Sequence, residues 1–224
     1  MNSNERDSVG SERGGARLSS GTTTIGLCCR DGVVLATERR ATMGHFIASK
    51  EAVKLFRIDG HLGATFAGGI GDAQSVIRQL RAEAALYRLR AGRPIRVESI
   101  AVVASNLLNA TRDYPLYGWF ILGGVDASGP RVYSLDFSGG SIEESRYVSL
   151  GSGSAYVYGL LEETWRSGIG VNDGVDLALR GLAVAMQRDS ASGDGYAIVT
   201  LTARGYAELG AAEVERRRAR LGRR

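Results

Sequence analysis

The chain has 224 residues, enough for one domain with a sizeable core and short for two. Apolar residues make up 44% of it, yet no window approaches the roughly 18 consecutive apolar residues that a membrane span needs. The net charge of +4 sits mostly at one end, where six arginines face three acids from Glu208 onward. That stretch has no interleaved aromatics, so it suits the end of a C-terminal helix better than a single-stranded nucleic acid. Neither a membrane nor a nucleic acid is an expected partner.

Residues 1–21, MNSNERDSVGSERGGARLSSG, are polar and lack the apolar core of a secretory signal. They read as a disordered leader, and the protein as cytoplasmic. Thr22 to Arg30 is β-rich and opens the folded part. Its adjacent cysteines, Cys28 and Cys29, point to opposite faces of a strand, so they are packing residues rather than a disulfide framework. Asp31-Gly32 is a hairpin turn signal, and Val33 to Glu38 returns as a second strand. Leu55 to Ile58, Asp59-Gly60 and Leu62 to Ala67 repeat strand, turn, strand.

The period then changes. From Asp72 to Arg90, the residues Val76, Ile77, Leu80, Ala84 and Tyr87 share one helical face, and Ala-Gly-Arg-Pro at 91–94 ends that helix. Val97 to Arg112 reads as a second helix. Strands return at Trp119 to Val125, Val132 to Leu135 and Ser141 to Leu150, with a turn over Asp126 to Pro130. Helices follow at Ala155 to Ser167 and Asp173 to Arg188, then a strand from Tyr196 to Thr202 and a short helix from about Ala211. Hairpins alternating with helix pairs imply an α+β fold. The economical form is two stacked antiparallel sheets, each covered by a helix pair on its outer face.

Lysine usage singles out a site. Of the 28 lysines and arginines only Lys50 and Lys54 are lysine. The two cations differ in proton chemistry, because burial can move a lysine to a useful pKa and arginine keeps its proton. Lys54 precedes a strand, and Glu38, at the end of another, is a natural partner for it. Lys50 has no assigned role. The two histidines, His45 and His61, have no metal-site spacing, and no GxSxG supports a serine triad. Neither a metal nor a cofactor is expected. Gly68-Gly69-Ile70-Gly71-Asp72 precedes a helix and offers backbone N–H groups to an anion, but no Walker lysine follows it. The same groups would serve an oxyanion.

What remains is threonine used with its own α-amine. The hydroxyl needs a base, and an α-amine with a pKa of about 7.7–8.0 can supply one. Only a first residue has such an amine. In the run Thr22-Thr23-Thr24 after Gly21, Thr22 qualifies if residues 1–21 are removed.

The segments GTTTIGL, ATERRATMG, IASKEAVKLFRID, AGGIGDA, GSGSAYVYG and QRDSASGDG, in that order and spacing, resemble the proteasome β subunit in its archaeal form. The resemblance covers residues 22–224. It implies an N-terminal-nucleophile hydrolase with a four-layer αββα sandwich, made as a zymogen whose residues 1–21 are cut off autocatalytically between Gly21 and Thr22. It implies Thr22 as nucleophile and its freed amine as base, with Lys54 lowering the hydroxyl pKa and Glu38 orienting Lys54. Many family members have Asp where this chain has Glu38. Gly68 N–H matches the oxyanion donor, and Ser152, Asp189 and Ser192 match the residues that hold the Thr22 amine and a nearby water.

Ala41, Ala52, Phe56, Phe66, Ile70 and Gln74 match the specificity pocket. None is charged, which implies cleavage after apolar residues, with bulky Phe66 shortening the pocket. Thr42 and Gly68 match positions that pair with the substrate backbone as an added strand. The implied partners are β subunits in a seven-membered ring, α-type subunits, an unfoldase ATPase acting through the α ring, and polypeptide substrate. Two alternatives stand beside this. One is a silent ring-building β subunit, against which Gly21, Thr22, Glu38 and Lys54 speak. The other is the smaller bacterial two-ring ATP-dependent protease, in which RDSASGDG and the basic C-terminal helix have no counterpart.

Overall fold

In the computed structural model the described residues are 21–222. Of the leader expected over residues 1–21, residues 1–20 lie outside them, as do Arg223 and Arg224. Two five-stranded antiparallel sheets form the centre. The first has the order β10-β1-β2-β11-β12, from Tyr147–Leu150, Thr24–Cys29, Gly32–Glu38, Tyr196–Thr202 and Gly205–Glu208. The second has the order β5-β6-β7-β8-β9, from Leu55–Asp59, Leu62–Gly68, Gly118–Asp126, Gly129–Leu135 and Ser141–Glu143. A separate hairpin joins β3 (Ala41–Met43) to β4 (Phe46–Ser49).

Strand alternation makes the layers. In β1, Ile25, Leu27 and Cys29 face the helices α3 (Ser154–Thr164) and α4 (Val171–Arg188), and Cys28 faces the other sheet. In β6, Leu62, Ala64 and Phe66 pack under α1 (Ile70–Ala91) and α2 (Val97–Ala110). The opposite face of β6 meets the first sheet, where the Thr24 hydroxyl donates to Thr65 Oγ1 at 2.7 Å. Val33, Leu35, Ile121, Val132 and Leu201 fill the space between the sheets. The result is the four-layer αββα sandwich that the sequence implies. No helix among the described residues is long and apolar enough to cross a membrane.

Several expectations are corrected. The run Ser141 to Leu150 is not one strand: β9 pairs with β8 in the second sheet, and β10 pairs with β1 in the first. The chain changes sheets over Glu144–Arg146, held there by Glu144 N–H donating to Val132 O at 2.8 Å and Cys28 N–H donating to Arg146 O at 2.8 Å. Helix α1 starts two residues earlier than Asp72, with extended Gly69 as its cap. The hairpins β3–β4 and β11–β12 carry strands that the pattern did not show.

The basic end is also more than a solvated helix tip. Arg217 and Arg220 of α5 (Ala211–Leu221) both pair with Asp176 of α4, the first at 2.9 Å, and Arg216 and Arg218 pair with Glu213 and Glu215. Arg217 and Arg220 thus pin α5 to α4, while Arg216 and Arg218 pair within α5. Both thiols are packing groups: burial pushes Cys29 up to about 12 and raises Cys28 as well.

Candidate active site

The candidate residues sit at strand and helix ends that the two sheets bring to one edge. Thr22 lies just ahead of β1, Glu38 ends β2, Lys54 immediately precedes β5, and Gly68 ends β6. The register of β1 on β2 places Thr24 opposite Thr37, so Thr22 and Thr23 arrive beside Glu38.

Three of these groups form a buried cluster. Thr22, Glu38 and Lys54 are 2%, 0% and 3% exposed, which keeps bulk solvent from competing for any of them. The Lys54 ammonium donates both to Thr22 Oγ1 and to Glu38 Oε1, and the Thr22 hydroxyl donates to Glu38 Oε1. Burial lowers the Lys54 pKa from its ordinary value, and the neighbouring Glu38 carboxylate opposes that shift. The lysine therefore holds its proton less tightly than a surface lysine while touching the hydroxyl it would activate.

Glu38 is itself held on both oxygens. Thr23 N–H donates to Oε1 at 3.2 Å, and Arg40 N–H and Gly193 N–H donate to Oε2 at 2.7 and 3.1 Å. These last two donors were not among the sequence candidates. Arg40 is placed by its side chain, which pairs with Asp194 at 2.6 Å and donates to Ser190 O at 2.7 Å. A β-carbon at Gly193 would overlap the Arg40 guanidinium, so a larger residue there would displace that side chain from Asp194. Asp194 takes a left-handed φ of 63°, and its carboxyl is held below the usual range by Arg40.

A second group lies beside the first. Asp189, the C-cap of α4, accepts on Oδ2 from Ser152 Oγ and Ser192 Oγ, each at 2.6 Å. Ser152 Oγ is also 3.3 Å from Thr22 O, and Ser192 Oγ is 2.7 Å from Thr23 Oγ1. The structure thus brings Ser152, Asp189 and Ser192 together against Thr22 O and the Thr23 hydroxyl. Thr23 is a further link that its place in a β-rich run does not mark.

Gly21 and Gly68 are both sterically constrained. A β-carbon at Gly21 would overlap Ala191 Cβ and lie 2.9 Å from Ser152 Oγ. Gly21 N–H donates to Thr42 Oγ1 at 3.1 Å, so Thr42 holds the chain that precedes Thr22. Gly68 has φ +136°, and a β-carbon there would lie 2.5 Å from Tyr117 O and 2.7 Å from Gly118 Cα. Gly69 N–H is engaged by Tyr117 O at 2.6 Å, so that amide is not available to an oxyanion.

The pocket candidates divide. Phe56 and Phe66 stack with centroids 6.0 Å apart, and half-buried Ile70 packs against the same cluster. Phe66 is 1% exposed and contacts Phe120, so it closes the inner end rather than lining an open wall. Ala41 is buried, Ala52 is half-buried and Gln74 is exposed on α1.

Comparison with known proteins identifies the family. A family model described as "Proteasome subunit" matches residues 18–201. The chain is 49% identical over 201 residues to a protein named proteasome subunit beta from Methanosarcina mazei, covering 90% of this chain and 96% of the relative. It is 50% identical over 198 residues to the one from Methanococcoides burtonii, covering 88% and 94%. It is 46% identical over 196 residues to proteasome subunit beta 1 of Thermococcus gammatolerans, covering 88% and 96%. With the family model spanning most of the chain and relatives this close matched nearly end to end, the chain belongs to the proteasome subunit family, as a β-type member.

Proposed function

We propose that this β subunit is a catalytic threonine endopeptidase of a proteasome core particle, made as a zymogen and active only after residues 1–21 are released. The observation that carries the reading is the buried cluster of Thr22, Lys54 and Glu38. A purely structural subunit gains little from it, because a buried ion pair is weak evidence of stability and apolar residues would pack there as well.

In the zymogen, Thr22 Oγ attacks the Gly21 carbonyl. The peptide C–N bond breaks as the ester forms, and Thr22 gains its free amine. Water then hydrolyses the ester and releases the leader with a Gly21 carboxylate. The absence of a side chain on Gly21 leaves room for that attack beside Ala191 and Ser152. In the mature enzyme the freed amine, through a water, takes the Thr22 hydroxyl proton, while Lys54 stabilises the developing alkoxide. Oγ attacks the substrate carbonyl, and Gly68 N–H stabilises the oxyanion. The leaving amine takes the proton back, and water cleaves the acyl ester. Ser152, Asp189 and Ser192 hold the amine and the water.

The uncharged set Ala41, Ala52, Phe56, Phe66, Ile70 and Gln74 favours an apolar residue before the cut bond, and Phe66 limits its depth. Thr42 and Gly68 pair with the extended backbone of an unfolded polypeptide. Assembly with further β subunits in a ring of about seven, with α-type subunits and with an unfoldase ATPase in the cytoplasm, is part of the same reading and rests on the family.

The test is Thr22→Ala in the assembled particle. Peptide hydrolysis drops to background if Thr22 is the nucleophile. Hydrolysis that survives in a particle with no other active subunit overturns the assignment, and a wild-type particle that never cleaves supports the silent subunit instead.

A further inference from the structure

A cleft of about 320 Å³ borders the candidate site on the side away from Phe56, Phe66 and Ile70. Strand parity explains the separation. Phe66 points to the helix face of β6, and the next residue, Ala67, points to the opposite face and lines the cleft. Ala67 stands in register with Trp119 on β7, so their side chains share that face. The Trp119 ring is braced on two sides, edge-on to Tyr117 at 5.7 Å and to Phe137 at 5.4 Å. The cleft runs up to Thr22, since Gly68, Gly151 and Ser152 also line it and a β-carbon on Gly151 would overlap Thr22 O. Among the described residues none that lines it is charged.

We propose that this cleft is the subsite for the residue that follows the cut bond, and that Trp119 makes it select an apolar or aromatic side chain there. The inference rests on the peptidase reading above. A carbonyl poised between Thr22 Oγ1 and Gly68 N–H has two substituents pointing opposite ways. The residue before the cut enters the Phe56–Phe66–Ile70 pocket, so the leaving nitrogen and its residue are directed across β6 to the Trp119 side. With Gly21 still forming part of its wall the cleft has about 320 Å³, at the small end of ligand pockets, and release of Gly21 opens it beside Thr22; that size suits one side chain rather than a long segment. Apolar side chains gain contact with a rigid indole, and a carboxylate there loses water without finding a cation. The subunit thereby selects on both sides of the bond it cuts.

The experiment uses assembled particles containing this chain and an equimolar mixture of four peptides. These differ only in the residue after one cut bond: Phe, Leu, Ala or Asp. Products quantified by mass spectrometry in one reaction give relative kcat/KM values that do not depend on the amount of active enzyme. Wild type is expected to favour Phe and Leu over Asp by about tenfold or more. Trp119→Ala compresses that spread to roughly threefold or less and leaves the preference before the cut unchanged. If Trp119→Ala does not assemble, Tyr117→Ala, at a half-exposed position of the same cleft, is expected to compress the spread in the same direction. A flat wild-type profile with Thr22-dependent cleavage overturns the subsite alone, as does a spread that survives in the assembled variant. Absence of Thr22-dependent cleavage in wild type overturns the peptidase reading and the subsite together.

Discussion

Replacing Glu38 by Gln keeps the shape of the side chain and removes its charge. The carboxylate accepts from five donors, namely the Lys54 ammonium, the Thr22 hydroxyl and the amides of Thr23, Arg40 and Gly193. A glutamine has one carbonyl oxygen and one NH2 group. If the oxygen faces Lys54, the NH2 meets the Arg40 and Gly193 amides, which are donors too. If it faces those amides, the NH2 meets the ammonium. Each stranded buried donor costs about 1–3 kcal/mol. Leaving buried Lys54 without its counter-charge brings the total to about 3–5 kcal/mol. At about 2–4 °C per kcal/mol for a chain of this size, the apparent melting midpoint falls by roughly 6–20 °C. Peptide hydrolysis falls on the order of a hundredfold or more, because the lysine is no longer held against the nucleophile. Glu38→Asp keeps the charge but is one methylene too short to span both donor groups, so it falls between. The assays are calorimetry and peptide turnover on particles of matched composition. Glu38→Gln with activity within threefold of wild type and an unchanged midpoint would refute the reasoning.

Other consequences can be measured in the same way. Gly21→Val places a branched side chain where even a β-carbon overlaps Ala191, so leader removal slows, and the fraction of uncut chain in assembled particles reports it. Hydrolysis by the mature particle rises with pH through the amine range of about 7.7–8.0 and falls again as Lys54 loses its proton, earlier than an exposed lysine would, because burial lowers its pKa. A rate that climbs steadily to the usual lysine range of about 10.4 contradicts that assignment. Asp194 has its folded-state pKa lowered by Arg40, so its contribution to stability is full above the unfolded value of about 3.9 and lost as pH falls through the folded one. Acid titration of Asp194→Asn is expected to lack that share of the loss. Phe66→Leu deepens the inner end of the pocket, and kcat/KM shifts towards larger residues before the cut.

Much of this fold is legible because local chemistry marks it. Asp31-Gly32 and Asp59-Gly60 announce their hairpins, and the apolar stripe of α1 announces a helix. The jump between sheets at Glu144–Arg146 is not legible, because that segment has no glycine or proline and the strands on either side continue its pattern. The β3–β4 hairpin is hidden for another reason: Met43 and Phe46 are 51% and 69% exposed, so burial imposes no alternation on them. In the site, the scarcity of lysine points to Lys54, and through it to Glu38. The amides of Arg40 and Gly193 that hold Glu38 leave no such trace, since any residue carries a backbone N–H and only the folded loop shows which ones converge.

The central claim is that the Gly21–Thr22 bond is temporary. The intact mass of this subunit, taken from assembled particles that hydrolyse peptides, tests it most directly. The account predicts a chain that begins at Thr22 in wild type, and retention of residues 1–21 when Thr22 is replaced by Ala. Particles that cleave peptides while every copy of this subunit still carries its leader, with no other active subunit present, would contradict it.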